Sequence, residues 1–385
     1  MFRENDMKVM TIVGTRPEII RLACVIKKLD KYCNHILVHT GQNYDYELNR
    51  VFFEDLELRD PDYILDVKAD TIYEQIGNIL INTGSVIEKE RPDAVLVLGD
   101  TNSALSVINA KRYKIPIYHM EAGDRSFDEN VPEELNRRIV DHTADVNLAY
   151  TEYSRRNLLR EGIHPSRIFV TGSPIREVYD YMQDKFHKSR ILDTLRLSRN
   201  KFITASIHRE ENVDKKGGLD SMVRSYNALA QTYKMPVVVS THPRTKRRLE
   251  GLGLDKVSDH RILWHKPFGL IDYITLQMNS FCVVSDSGTI HEDSSILNFP
   301  AIAIRKSTEK AESIDAGHCV ITGLEPESVL KSVEIVTTDP VDPKISPMPK
   351  EYEPLNVSGK VVRIILGMTK VMDERVWGDP EKKYV

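Results

Sequence analysis

The chain is 385 residues long, more than one compact core usually serves, so two domains with a cleft between them are expected. Its 41% hydrophobic and 29% charged residues are those of a soluble globular protein, and no apolar run reaches membrane-spanning length. A formal net charge of −4 without a basic tract argues against nucleic acid as a partner, while leaving room for a local basic site around one anionic ligand.

The opening segment, MFRENDMKVM, mixes charges of both signs and runs straight into a strand-like stretch, with neither the apolar core nor the cleavage site of a signal peptide; a cytoplasmic protein is expected. Short β-branched runs then alternate with amphipathic helical stretches: KVMTIVG (8–14), HILVHT (35–40), AVLVLGD (94–100), IPIYHME (115–121) and RIFVTG (167–172). Near-continuous apolar strands between helices indicate a parallel sheet covered on both faces. After a charged, helical stretch the pattern restarts with FITASIH (202–208), MPVVVSTH (235–242), FCVVSDSG (281–288) and AIAIRK (301–306). The expected fold is therefore α/β with two doubly wound sheets. The expected domains are 1–175, 176–355 with the second sheet, and 356–385, a terminal helix and tail packing back on the first domain. Cys24, Cys33, Cys282 and Cys319 have no metal-ligand spacing and lie in or beside apolar runs, so they read as reduced core residues.

Neither GxGxxG, a Walker A loop nor HExxH occurs, which removes the sequence case for dinucleotide, P-loop or zincin chemistry. In open α/β sheets ligands bind at the carboxyl ends of strands, and those positions are polar here. The first strand ends in Gly14-Thr15-Arg16-Pro17-Glu18, placing Arg16 at a helix N-terminus suited to a diphosphate; the other reading is a surface arginine pairing with Glu18. Asp100 and Glu121 each close a strand. Glu121 is followed by the small Ala122 and Gly123, which would let it project into the cleft; Asp100 could instead cap the next helix. Glu133 and Glu134 precede Arg137 and Arg138 at helical spacing, so a salt-bridged solvent face explains them as well as chemistry does. In the second half His208-Arg209 and His242 follow successive strands, and Ser287, Gly288 and Thr289 open a helix that offers another anion site, with carboxylates one turn in that could accept ribose hydroxyls.

Nine ordered segments, GTRPEIIR, HTGQ, LGDTNS, HMEAG, VPEELNRR, HREEN, THP, DSGTIHED and STEKAE, resemble the non-hydrolysing UDP-N-acetylglucosamine 2-epimerase family over nearly the whole chain. The resemblance implies two Rossmann-like domains facing across a cleft, as in GT-B glycosyltransferases, a homodimer, and a reaction using neither nicotinamide nor metal. By the same resemblance Arg16 matches a phosphate-binding arginine, Asp100, Glu121 and Glu133 match catalytic acids, and His208 an active-site histidine. His242, Ser287, Gly288 and Thr289 fall in UDP-binding segments, and Arg21, Gln42, Arg209 and Asp293 join them as expected substrate-binding residues. The implied ligand is a UDP-linked 2-acetamido sugar whose C2 is inverted, UDP-GlcNAc to UDP-ManNAc being the common case, for surface polysaccharide such as capsule or O-antigen.

The sequence departs from commoner members at Arg21 (often lysine), Asp293 (often glutamate), Thr289 (often glycine) and Lys310-Ala311 (usually Arg-Pro). Asn43-Tyr44 also stands where histidine is typical, which bears on an allosteric site that draws on the Gln42 region in relatives. TGQNYDYELN, EAGDRSFDENVPEELNRRIVDH and DSGTIHEDSSILNFPAI look closer to a subgroup that forms UDP-N-acetyl-L-fucosamine from the 6-deoxy-L-talose epimer. A GT-B glycosyltransferase, a hydrolysing relative and a non-catalytic sugar-nucleotide sensor are the alternatives.

Overall fold

The computed structural model describes residues 7–42, 46–207, 209–213 and 217–378, with backbone alone at 46–49, 210 and 211. The chain divides into two compact units, one of residues through Tyr181 together with those from Lys350 onward, the other Met182–Pro349.

The first unit holds a seven-stranded sheet of β1 (Lys8–Val13), β2 (Asn34–His39), β3 (Tyr63–Ile64), β4 (Ala94–Leu98), β5 (Ile117–Met120), β6 (Val146–Ala149) and β7 (Ile168–Val170). Their order is β3-β2-β1-β4-β5-β6-β7 and every neighbouring pair is parallel. Register follows the apolar runs: Met10 lies beside Ile36 and Val95, and Leu96 beside Tyr118. Val9, Met10, Val95, Val97 and Ile117 are fully buried. Each such side chain contributes about 1.5–3 kcal/mol by leaving water, which is why the strands read as unbroken hydrophobic runs. The helix Val357–Met372 buries Val357, Val361, Val362, Ile365 and Met372 on one face, and Tyr118 Oη meets Thr369 Oγ1 at 2.9 Å. It packs along the helix Arg16–Tyr32 and so belongs to this unit.

The second unit holds six parallel strands, β8 (Ile203–Ile207), β9 (Val237–Thr241), β10 (Ile262–His265), β11 (Cys282–Ser285), β12 (Ala301–Ile304) and β13 (Val320–Thr322), in the order β10-β9-β8-β11-β12-β13. Its core gathers Ile203, Ala205, Val237, Val239, Val284 and Ile302 under the helix Gly218–Tyr233, through Met222, Tyr226 and Leu229. Both sheets are doubly wound and Rossmann-like, reversing their strand order between β1 and β4 and between β8 and β11. Four strands beyond the expected set appear, β3, β6, β10 and β13. Cys33, Cys282 and Cys319 are buried and Cys24 half-buried, all as free thiols. No helix of the described residues is long and apolar enough to cross a membrane.

Candidate active site

In the first unit, the loops after β1, β2, β4 and β5 lie side by side because their strands do. After β1, Gly14 leaves no room for a side chain: a Cβ there would sit 1.9 Å from Ser103 Oγ and 2.5 Å from Thr40 Oγ1. Pro17 then falls in the first turn of the helix Arg16–Tyr32, where its missing N–H costs nothing. Arg16 is half-buried with its guanidinium 5.6 Å from the centre of the Phe52 ring, and burial lowers its pKa from the ordinary value. Glu18 turns away from solvent: one carboxylate oxygen accepts from the Gly14 and Thr15 N–H groups at 3.0 and 2.6 Å, the other from the Thr101 hydroxyl at 3.0 Å. Burial pushes its carboxyl up to about 7 against those hydrogen bonds. The arrangement sets aside the surface Arg16–Glu18 pair considered from sequence.

One helical turn on, buried Arg21 places its guanidinium over the Tyr150 ring at 5.7 Å and reaches Glu121 Oε1 at 3.6 Å. Glu121 follows β5 in a left-handed conformation, φ 64°, and remains partly open to solvent. On the adjacent strand, Asp100 pairs with Arg137 at 2.6 Å, while Thr101, not Asp100, occupies the capping position of the following turn. Gln42 sends its side-chain oxygen to the Ser103 N–H and hydroxyl at 3.0 and 2.8 Å, joining the loops after β2 and β4; residues 43–45 lie outside the described set.

Glu133 and Glu134 begin the helix Pro132–Thr143 and part company there. Glu133 is exposed, whereas Glu134 is fully buried, accepting from the Ser126 and Phe127 N–H groups at 3.1 and 3.3 Å and from Arg137 at 2.8 Å. Burial alone would raise its carboxyl, but those donors and the Arg137 charge hold it below the usual range. The salt bridges anticipated at this spacing are made by Glu134, to Arg137 and at 3.8 Å to Arg138.

In the second unit, His208 lies outside the described residues. Arg209 directs its N–H to Asp286 Oδ2 at 3.0 Å and its guanidinium toward Glu309 at 3.7 Å. Gly288 sits where a Cβ would come within 2.6 Å of Glu309 Oε1 and 3.4 Å of both the Arg209 and Arg305 guanidinium groups. Ser287 and Thr289 share a hydroxyl contact of 3.1 Å, and Thr289 donates to Asp293 at 2.9 Å at the head of the helix Ile290–Leu297. Behind them lies a buried cluster of charged and polar side chains: Arg305 with Glu309 at 2.8 Å, Lys310 with Glu292 at 3.9 Å, and His291. His242 is exposed and caps the helix Pro243–Gly251, its Nδ1 accepting the Arg244 N–H at 3.2 Å. The structure thus gathers Arg16, Arg21, Gln42, Asp100 and Glu121 on one rim of the first unit. Arg209, Ser287, Gly288, Thr289 and Asp293 gather at neighbouring strand ends of the second. Sequence reasoning missed Glu18 and Arg137 as members of the first rim; Glu18 spaced three residues from the capping threonine was the available signal.

The sequence model of the UDP-N-acetylglucosamine 2-epimerase family matches residues 27–366. The chain belongs to that family of isomerases. The match begins after Gly14–Arg21, but likeness to solved members of the epimerase family extends further. The UDP-N-acetylglucosamine 2-epimerase of Rickettsia bellii is 47% identical with a TM-score of 0.91, over 97% of this chain and all of that one. The Methanocaldococcus jannaschii UDP-GlcNAc 2-epimerase, crystallised with UDP-GlcNAc and UDP, is 35% identical with a TM-score of 0.87, over 94% of this chain and all of that one. A further family member, the UDP-2,3-diacetamido-2,3-dideoxy-D-glucuronate 2-epimerase of Pseudomonas aeruginosa, is 36% identical over 85% of this chain and 91% of its own.

Proposed function

We propose that this chain inverts C2 of a UDP-linked 2-acetamido sugar, of the UDP-GlcNAc to UDP-ManNAc type, by eliminating and re-adding UDP without hydrolysis. The observation that carries the reading is the pair of carboxylates Asp100 and Glu121, closing adjacent strands of one sheet and each partnered by an arginine. Inversion at a carbon needs proton transfer on both faces, and two separately held carboxylates meet that demand. C2 has no neighbouring carbonyl, so a bare carbanion is too costly. The C1–O bond breaks first, UDP leaving with the electron pair, and the resulting oxocarbenium character acidifies C2–H. One carboxylate takes that proton and a C1–C2 double bond forms; UDP then adds back to C1 and a proton to the other face of C2. No electron is gained or lost overall, so turnover is expected without added nicotinamide or metal.

In this reading Arg16 neutralises the diphosphate, Asp100 and Glu121 transfer protons, Glu133 takes a positioning or relay part, and His208 steadies the leaving group. Ser287, Gly288 and Thr289, with His242, Arg209 and Asp293, receive the UDP moiety. We further take the enzyme to be a cytoplasmic homodimer supplying a surface polysaccharide precursor. Proton NMR of the protein with UDP-GlcNAc in D2O tests it: deuterium at C2 together with UDP-ManNAc supports the proposal. Release of free ManNAc and UDP would identify a hydrolase instead, and acceptor-dependent UDP release a transferase. Exchange confined to the 6-deoxy-L-talosamine nucleotide would keep the reaction and change the sugar.

A further inference from the structure

Two turns carry the acids Asp100 and Glu121, and one buried pair of side chains ties them together. His119, near the end of β5 and 1% exposed, presents Nε2 to the Gly99 carbonyl at 2.9 Å and Nδ1 to Asp141 Oδ1 at 2.8 Å. A carbonyl only accepts, so Nε2 carries a proton. Asp141, fully buried, accepts the Gly123 N–H at 3.2 Å on both oxygens and the Arg125 guanidinium at 2.7 Å. Gly99 immediately precedes Asp100, and Gly123 follows Glu121 by two residues. The helix that supplies Asp141 also supplies Asn136, which donates to the Asp100 carbonyl at 2.9 Å, and Arg137, paired with the Asp100 carboxylate.

The turn held in this way is strained. Glu121 adopts φ 64° and Gly123 φ 84°, and a non-glycine residue in the left-handed region is strained by its Cβ against the following carbonyl oxygen. Such a conformation persists only where its surroundings over-determine it. Here the fixing contacts are the Gly123 N–H on Asp141 and the His119 bridge to the neighbouring turn. We propose that His119 and Asp141 are positioning residues that lock the Gly99–Asp100 and Glu121–Gly123 turns in register, holding the two acids at a fixed separation. The proposal rests on the epimerase reading above and adds the residues that set its geometry.

The test begins with wild-type turnover on the UDP-acetamido sugars, then compares Asp141→Ala, Asp141→Asn and His119→Leu, each normalised to folded protein by circular dichroism. Loss of the carboxylate frees the Glu121 turn, and displacement of a reacting group by on the order of 1 Å costs about 10²-fold. The expected result for Asp141→Ala is therefore a kcat lowered by roughly that factor with KM within about threefold, because the diphosphate-binding residues are untouched. Asp141→Asn keeps an acceptor for Gly123 and Arg125, and its amide can donate to a ring nitrogen, so it should recover to within about tenfold of wild type. If Asp141→Ala does not fold, His119→Leu, which leaves Asp141 with Gly123 and Arg125, should still lower kcat at least tenfold at near-constant KM. Wild-type kcat in the folded variants overturns the positioning role while the epimerase reading stands. A wild type that exchanges C2 of none of these sugars overturns both.

Discussion

Glu18→Gln isolates the cost of an ionisable group buried beside the Arg16 helix start. The amide can reproduce these contacts of the carboxyl: its oxygen accepts the Gly14 and Thr15 N–H groups and its NH2 donates to Thr101 Oγ1. What disappears is the charge. In the folded chain the carboxyl titrates at about 7, raised by burial from an ordinary 4.5. A folded value above the unfolded one means that the folded state holds its proton over that window while the unfolded state has released it. Stability from this group is therefore full below pH 4.5, declines as pH rises through 7, and is level above. Each pH unit of that window is worth about 1.4 kcal/mol, giving roughly 3 kcal/mol in all. With Glu18 1% exposed, little solvent screening reduces the figure. The assay is urea unfolding at pH 5 and pH 8 in a Trp264→Phe background, which leaves Trp377 as the tryptophan signal of the first unit. Relative to wild type, Glu18→Gln should gain roughly 2.5 kcal/mol on moving from pH 5 to pH 8, since only the part of the window above pH 5 contributes. A stability difference that stays constant with pH to within about 0.5 kcal/mol would falsify the assignment of a buried, proton-holding Glu18.

Glu121→Gln should lower C2 deuterium incorporation at least 10²-fold while calorimetry shows UDP binding unchanged; normal exchange in the folded variant would remove Glu121 from the chemistry. Gly288→Ala places a methyl 2.6 Å from Glu309 Oε1, forcing the Arg209–Glu309–Arg305 cluster apart, so UDP affinity should fall at least tenfold by calorimetry; wild-type affinity would show that this helix head does not receive the nucleotide. His291 is held near 4 by burial, then by the Arg305 and Lys310 charges, so the unfolded state takes up a proton first as the solution is acidified. The second unit should therefore lose stability as pH falls from about 6.5 toward 4, and His291→Asn should flatten that dependence, read from Trp264 fluorescence in urea; an unaltered slope would refute it.

Most of the two sheets was legible because parallel strands covered on both faces must be apolar throughout. β6 escaped because Asn147 interrupts its run; that side chain is buried and donates to the Asp141 carbonyl at 3.1 Å, a tertiary bond with no local signature. β10 and β13 are edge strands with half-exposed residues, and their patterns weaken accordingly. At the rims, chain topology announced which loops carry polar residues, so Arg16, Asp100, Glu121 and the Ser287–Thr289 turn could be named in advance. Which side chain faces inward could not. Neighbouring Glu133 and Glu134 differ by one residue, about 100° around the helix, and the turn at Ser126 and Phe127 selects Glu134 for burial.

The residues that escaped reading share one physical role. Glu18 accepts two backbone N–H groups of the turn after β1 and a hydroxyl from the loop after β4. Asp141 accepts a backbone N–H after β5 and, through His119, reaches the carbonyl after β4. Asp286, at the end of β11 and fully buried, accepts the Arg209 N–H after β8. Each is a carboxyl group taken out of water whose desolvation is at least partly offset by donors from neighbouring strand-end loops, for Glu18 not fully, and an offset of that kind holds only while the loops keep their geometry. Only the contacts of Glu18 with Gly14 and Thr15 are local; the others join residues 18 to 83 apart in sequence, so no short window of sequence contains both partners. A substitution at one of these carboxylates should therefore act on the neighbouring rim through geometry, leaving the residues that meet the substrate chemically intact but displaced.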